Sequence, residues 1–202
     1  MDSQRLQEIF SRYPQHRILI VGDFFLDRYL MIDPALDEIS IETGKIAYQV
    51  IAKRPQPGAA GTVCNNLHSL QVGTLIALTV TGDDGEGYEL RKTLNLRGVN
   101  TDHVIISEDR FTPTYTKPMV IKPDGDEELN REDIKNRKIL AAPLEDQLIQ
   151  RLEKLVPQVD AVIVSDQVQE RNCGVITDRI RETLGVLANQ YPKIFFFADS
   201  RE

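Results

Sequence analysis

Cysteine is scarce: Cys64 and Cys173 stand far apart in 202 residues, with no Cys-x-x-Cys pair and no His-rich partner spacing. That argues against structural zinc and reads as reduced, largely buried thiols in a cytosolic protein. No apolar stretch approaches the roughly 20 residues a bilayer span needs. The charged segment 1–11 also lacks the apolar core of a signal peptide. The expectation is therefore a cytoplasmic protein with no membrane partner. Positive charge is in deficit, 24 Lys and Arg against 31 Asp and Glu for a net charge of −7, and no basic cluster offsets it, which argues against nucleic acid. His16, His68 and His103 form no His-Glu-x-x-His and no Ser-His-Asp pattern, so hydrolase and metalloprotease chemistries lack support. No Gly-x-Gly-x-x-Gly follows a strand and no Walker A sequence occurs, which counts against NAD binding and P-loop phosphoryl transfer. Internal repeats and low-complexity tracts are missing too.

What remains is ordinary globular composition, 41% hydrophobic and 27% charged, in a chain long enough for one sizeable core and a small appendage. Leu6, Ile9 and Phe10 at helical spacing predict a short leading helix that Pro14 helps to end. The aliphatic run 17–21, ending at Gly22-Asp23, reads as a parallel strand covered on both faces. Over 29–57 helical periodicity disappears, Pro34, Gly44, Pro55 and Pro57 punctuate the chain, and 46–52 reads as a strand, which makes this a β-rich excursion. Helices are predicted over 58–70, 83–97, 144–156 and 175–187, and strands over 75–80, 104–106, 115–121, 161–164 and 194–198. Pro118 should confine its strand to an edge or a bulge, and Pro123-Asp124-Gly125 should be a turn. The alternation predicts an α/β fold with a doubly wound, mostly parallel sheet. Such sheets bind ligands beyond the carboxyl ends of their strands, where Asp23, Asp27, Asp83, Asp166 and Asp199 are expected.

The run Pro57-Gly58-Ala59-Ala60-Gly61-Thr62-Val63-Cys64 opens the first of the longer helices. A helix start made of small residues presents unpaired N–H groups to a hydroxyl or an anion, but small residues also serve a tight helix–sheet crossing, and the run alone leaves both readings open. Asp23 and Asp27 bracket Phe24-Phe25-Leu26 just past the first strand. Asp23 reads as a turn cap, Asp27 as a carboxylate that reaches into the crevice and accepts two hydroxyl hydrogen bonds at once. Gly82-Asp83-Asp84-Gly85-Glu86-Gly87 reads as helix capping, since the ligand spacing of a calcium loop is missing.

Taken in order with Pro113-Thr114-Tyr115-Thr116-Lys117, Ser165-Asp166 and Asp199-Ser200-Arg201, these segments make the chain resemble the PfkB (ribokinase-like) carbohydrate kinases over nearly its whole length. Leu26-Asp27-Arg28-Tyr29, the Pro-Thr-x-Thr-Lys segment and Ser165-Asp166 are similar to the heptose-7-phosphate kinase branch, the kinase domain of ADP-heptose synthases. The resemblance implies a ribokinase-like fold with an incomplete α/β domain over 1–28 and 58–202 and a lid over 29–57. It also implies transfer of the ATP γ-phosphoryl group to a hydroxyl of a sugar or sugar phosphate, with Mg²⁺ neutralising phosphate charge. By the same resemblance Asp27, Gly58, Ala59, Thr62, Lys117 and Asp166 would hold the acceptor, Lys117 on a sugar phosphate and Asp166 near the transferred group. Arg201 would contact the ATP phosphates. The lid would close over the sugar, exclude water and build a homodimer contact.

The chain departs from the family pattern at several positions. Thr62 replaces an Asn and loses the amide's paired donor and acceptor; Ala59 replaces a Gly and narrows the approach. Met119 stands in place of an Arg, Gln167-Val168-Gln169 in place of Tyr-Gly-Lys, and Glu38-Ile39-Ser40 in place of Arg-Ile-Ser. The family's Gly-Ala-Gly-Asp segment, which makes an anion hole and supplies the deprotonating Asp, does not occur in residues 1–202. The expectation is a catalytic base beyond Glu202 and no kinase activity from this chain alone. The alternative is a non-catalytic sugar-binding or regulatory protein derived from the kinase fold.

Overall fold

Helix α1 (Ser3–Phe10) and a 3-10 turn (Tyr13–Gln15) lead into strand β1 (Arg17–Gly22), followed at once by β2 (Phe24–Ile32). The computed structural model describes residues 2–201; Met1 and Glu202, the outer limits of the expected α/β domain, lie outside the described residues. After a second 3-10 turn (Pro34–Leu36) come the two-residue strands β3 (Glu38–Ile39) and β4 (Ile46–Ala47), the long β5 (Val50–Ala59) and helix α2 (Ala60–Ser69). Next are β6 (Thr74–Leu78), β7 (Val80–Gly82), α3 (Gly85–Asn95), β8 (Val99–Asn100), β9 (Ile105–Ser107) and β10 (Thr114–Val120). The remaining elements are β11 (Glu127–Glu128), β12 (Glu132–Ile134), α4 (Ala142–Leu155), β13 (Ala161–Asp166), α5 (Asp178–Gln190) and β14 (Phe195–Ser200).

β1 is the centre of an all-parallel sheet of order β14-β13-β1-β6-β8. Strand alternation explains its unbroken aliphatic run: Leu19 and Val21 pack with α4 and α5, whereas Ile20 packs on the other face with α2 and α3. Both faces are therefore dry, and the sheet is doubly wound. Cys64, on α2, is buried in the second of these clusters, and burial pushes its thiol up to about 12. Among the described residues no helix is long and apolar enough to cross a membrane.

A second sheet, of order β11-β10-β2-β5 with β12 also on β10, takes in more of the chain than 29–57. It begins at Phe24 and draws on 114–134. β10 runs parallel to β2, and β5 runs antiparallel to it. Pro118 was expected at an edge or bulge, but it lies inside this sheet. β2 flanks β10 along its length, while β12 covers 114–116 and β11 covers 119–120 on the other side, so Pro118 falls in the seam between those ladders.

Four expected elements are placed differently. The strand 46–52 is two strands, because the chain switches partner between them: Ile46 pairs with Ile39, and Val50 pairs with Ile32. The helix 58–70 starts at Ala60, since Gly58 and Ala59 still pair with Phe25 and Phe24. The strand 75–80 breaks at Thr79, its first part pairing with β1 and β8 and its second with β9. The helix 175–187 starts at Asp178, where the Thr177 side chain accepts from the Ile180 N–H and caps it.

Candidate functional site

Alternation gives the second sheet two unlike faces. Phe24, Leu26 and Arg28 look back toward the helices; Phe24 and Leu26 are buried, and the Arg28 guanidinium meets Glu86 at 2.9 Å and Glu89 at 2.8 Å on α3. Phe25, Asp27 and Tyr29 share the opposite face. There Asp27 sits between Tyr115 on β10 and Gln56 on β5, and Tyr29 is the register partner of Lys117. Lys117 Nζ lies 2.9 Å from Asp27 Oδ1, 3.3 Å from the Tyr29 hydroxyl and 4.8 Å from the Tyr29 ring centre. Burial alone would lower the Lys117 pKa, but its bonds to Asp27 and Tyr29 raise it above the ordinary value. The other carboxylate oxygen lies over Gly58, where a Cβ would come within 2.5 Å of Asp27 Oδ2. A side chain at position 58 would displace the carboxylate.

One residue past β1, Asp23 is buried and accepts three backbone N–H bonds, from Gln167 at 2.8 Å, Val168 at 3.1 Å and Val175 at 2.7 Å. It therefore caps a loop far off in sequence rather than the turn it begins. Burial raises its carboxyl pKa, the three donors lower it, and burial wins. Asp84 caps α3 through the Gly87 N–H at 2.7 Å and also accepts from the Thr112 N–H and hydroxyl.

A cleft opens between the Phe25 face and the carboxyl ends of the central strands. Phe25 and Tyr115, edge to face at 5.3 Å, line it together with Asp23, Thr79, Gln167 and Arg201; Asp27, Gly58 and Lys117 lie beside it on the same sheet and are not among its lining residues. Arg201 Nε donates to Gln167 Oε1 at 2.9 Å, and Gln167 Nε2 donates to Asp199 Oδ2 at 2.9 Å. Aromatic rings beside carboxylate and amide groups suit a polyol, whose C–H faces pack on rings while its hydroxyls bond the polar atoms.

The sequence matches the pfkB family carbohydrate kinases over residues 30–189. The chain belongs to the PfkB family. It is 31% identical over 180 residues to the bifunctional protein HldE of Trichlorobacter lovleyi and 30% identical over 178 residues to that of Helicobacter pylori. These matches cover 89% and 88% of this chain but 34% and 36% of the relatives. Among solved structures it superimposes on a putative phosphofructokinase from Staphylococcus aureus with a TM-score of 0.63 and on phosphofructokinase-2 from Escherichia coli with 0.62. Each is 16% identical, with 91% of this chain matched to 53% and 54% of theirs. At that identity the likeness is one of fold, the ribokinase-like architecture. The chain spans about a third of the length of the curated relatives it matches and about half that of the solved structures.

Within this PfkB fold the residues singled out from sequence separate into groups. Asp27, Gly58 and Lys117 converge. Thr62 is exposed near the start of α2. Asp166 ends β13 on the α5 side of the sheet, where Oδ2 meets Arg181 at 2.8 Å and the Ser200 hydroxyl at 3.1 Å, apart from Asp27. Asp27 itself lies within β2 rather than at the end of a central strand. Ala59, at the N-cap of α2, has φ +51° and ψ −120°, a region glycine enters freely and alanine under strain. Ala59→Gly is expected to stabilise the fold by about 1 kcal/mol. A raised urea midpoint at unchanged slope is the check.

Sequence reading passed over Arg110, Lys135 and the contribution of Tyr115 to the cleft wall. Tyr115 shares period two with Lys117 and was within reach of that signal. Arg110 and Lys135 lie outside any motif, and only folding brings them to the cleft.

Proposed function

We propose that this chain forms the acceptor-sugar side of an ATP-dependent carbohydrate kinase that phosphorylates a hydroxyl of a sugar or sugar phosphate. The observation carrying this reading is the Asp27 carboxylate, oriented by Lys117 and Gly58 next to Tyr115, on the sheet face whose Phe25 and Tyr115 line the neighbouring cleft, in a PfkB fold. Asp27 would accept hydroxyl hydrogen bonds from the sugar, and Lys117 would act by holding that carboxylate. Phe25 and Tyr115 would cover a ring face and keep water from the reacting hydroxyl.

Arg201, in the cleft lining, fits a phosphate of ATP, which when bound supplies the phosphoryl group. Mg²⁺ would arrive with the nucleotide phosphates and neutralise their charge. The second sheet would serve as the lid. Its outlying segment exposes Leu36, Ile39, Ile41, Ile46, Tyr48 and Ile51, an apolar set suited to a homodimer contact. ATP dependence and two free, buried cysteines fit a cytoplasmic setting.

Calorimetry with a panel of sugars and sugar phosphates, beside an ADP-release assay on residues 1–202, tests the reading. The expected result is saturable acceptor binding without ADP release, because the Gly-Ala-Gly-Asp segment does not occur in 1–202. ADP release would refute the inactivity, and a panel with no binder would refute the acceptor site. Acceptor binding with no response to ATP in a thermal melt would favour the non-catalytic alternative.

A further inference from the structure

A doubly wound sheet buries both faces, but here the cover stops before the last strand. β14 pairs with β13 and forms one edge of the central sheet. Phe196 faces α4 and α5 and packs on their apolar cluster. Phe195 and Phe197 face the other side, in register with Ala161 and Ile163, where α2 and α3 cover Ile18 and Ile20 of β1 but leave β14 bare. The two rings are 65% and 53% exposed. The open backbone edge is equally unprotected. Phe195 and Arg201 donate their N–H groups back to Asp160 and Asp166, so by alternation the N–H and C=O groups of Phe196 and Ala198 point away from the sheet. Sheet edges are normally blunted by charge, proline or brevity. The opposite edge, β8, has two residues, and β5, an edge of the second sheet, carries Lys53, Arg54, Pro55 and Pro57. Phe195-Phe196-Phe197-Ala198 has none of these devices.

We propose that β14 is an interface between two copies of this chain, paired edge to edge and antiparallel about a two-fold axis at Phe196, so that their five-stranded sheets become continuous. The strand is self-complementary in that arrangement. Phe196 meets its own copy as a hydrogen-bonded pair, and the outward N–H of Ala198 meets the C=O of Ile194 in the second copy. On the bare face Phe195 of each copy lies opposite Phe197 of the other, which gives two aromatic cross-strand pairs. Charge fixes the register. Lys193, exposed in the turn before β14, comes beside the exposed Asp199 of the second copy, and the symmetry repeats the pair at the other end. Moving the axis one residue along would instead set Lys193 against Arg201 of the second copy. This contact goes beyond the one proposed for the lid and shares no residue with it.

The test is analytical ultracentrifugation over a concentration series at physiological salt. Wild type is expected to associate reversibly, its mass rising with concentration above the 22.9 kDa of one chain. Phe197→Ser removes both aromatic pairs and should weaken the association at least about tenfold. Lys193→Glu and Asp199→Lys each set like charges opposite one another at both ends, and each should weaken it about tenfold. The double variant Lys193→Glu/Asp199→Lys restores opposite charges and should return to within about threefold of wild type. All three positions are exposed, and unchanged thermal melts will show that the fold is kept. A wild type that stays at 22.9 kDa at every concentration overturns the proposal and leaves the edge to a different polypeptide. Association that none of these substitutions moves also overturns it and points to the lid contact. Single variants that weaken association with no recovery in the double variant overturn the pairing about Phe196.

Discussion

Asp27→Ala is expected to weaken acceptor binding at least about a hundredfold while leaving the protein folded. A carboxylate that accepts two sugar hydroxyls makes two charge-assisted bonds, together worth about 3 kcal/mol or more of binding. The structural cost should stay short of unfolding: the Asp27 and Lys117 side chains are 22% and 16% exposed, so the pair is only partly screened and its loss is expected to cost about 1–3 kcal/mol. Once released, Lys117 keeps its contact with Tyr29, and its partly exposed ammonium can turn to solvent. Calorimetry with the best binder of the sugar panel, paired with a thermal melt, reads both quantities. An unchanged affinity removes Asp27 from the site, and a collapse of the melting temperature makes the Asp27–Lys117 pair a structural device.

The neighbouring acid should behave in the opposite way. Asp23→Ala is expected to destabilise the fold by about 2–4 kcal/mol, because it strands the buried Val175 N–H, at about 1–3 kcal/mol, and the part-buried Gln167 and Val168 N–H groups, at less each. In urea this appears as a large fall in midpoint, and the amides of Gln167, Val168 and Val175 should lose hydrogen-exchange protection first. A midpoint unchanged from wild type would show that the loop holds without its clamp.

Acidity gives a second handle on the same residue. Burial holds the folded pKa of Asp23 above its unfolded value. Its titration therefore contributes stability that is complete below the unfolded pKa and is lost as pH rises through the folded one. The stability advantage of wild type over Asp23→Asn should accordingly shrink as pH is raised from about 4, the ordinary carboxylate value. A gap that widens over that interval would contradict a raised pKa.

The two aspartates look alike in sequence, four residues apart around Phe24-Phe25-Leu26, yet folding gives them separate tasks. Asp23 leaves β1 at a sheet end and turns inward to a loop; Asp27 sits mid-strand on an open face. No strand over 24–32 was expected from the sequence, because Phe24-Phe25-Leu26 is an unbroken apolar run, buried throughout, that shows no period of two. Nor were the partners of the two aspartates legible. Lys117 is 88 residues from the Tyr29 it touches, and nothing local to either residue sets that register.

The sequence by itself determined what depends on near neighbours. The aliphatic run that becomes β1, the helices α1 and α3 to α5 with boundaries off by a few residues, and the turn at 123–125 follow from local spacing, and the ordered segments carried the resemblance to the PfkB family. Tertiary structure alone decided what depends on pairing between distant segments. It put Pro118 in the seam between β11 and β12, turned Asp166 toward Arg181, spent Lys117 on Asp27, and gathered Arg110, Lys135 and Arg201 at one cleft. The physical reason is that periodicity records which face of an element a residue occupies. What lies opposite that face is set by strand order and register, which arise only when the whole chain buries its two apolar clusters together.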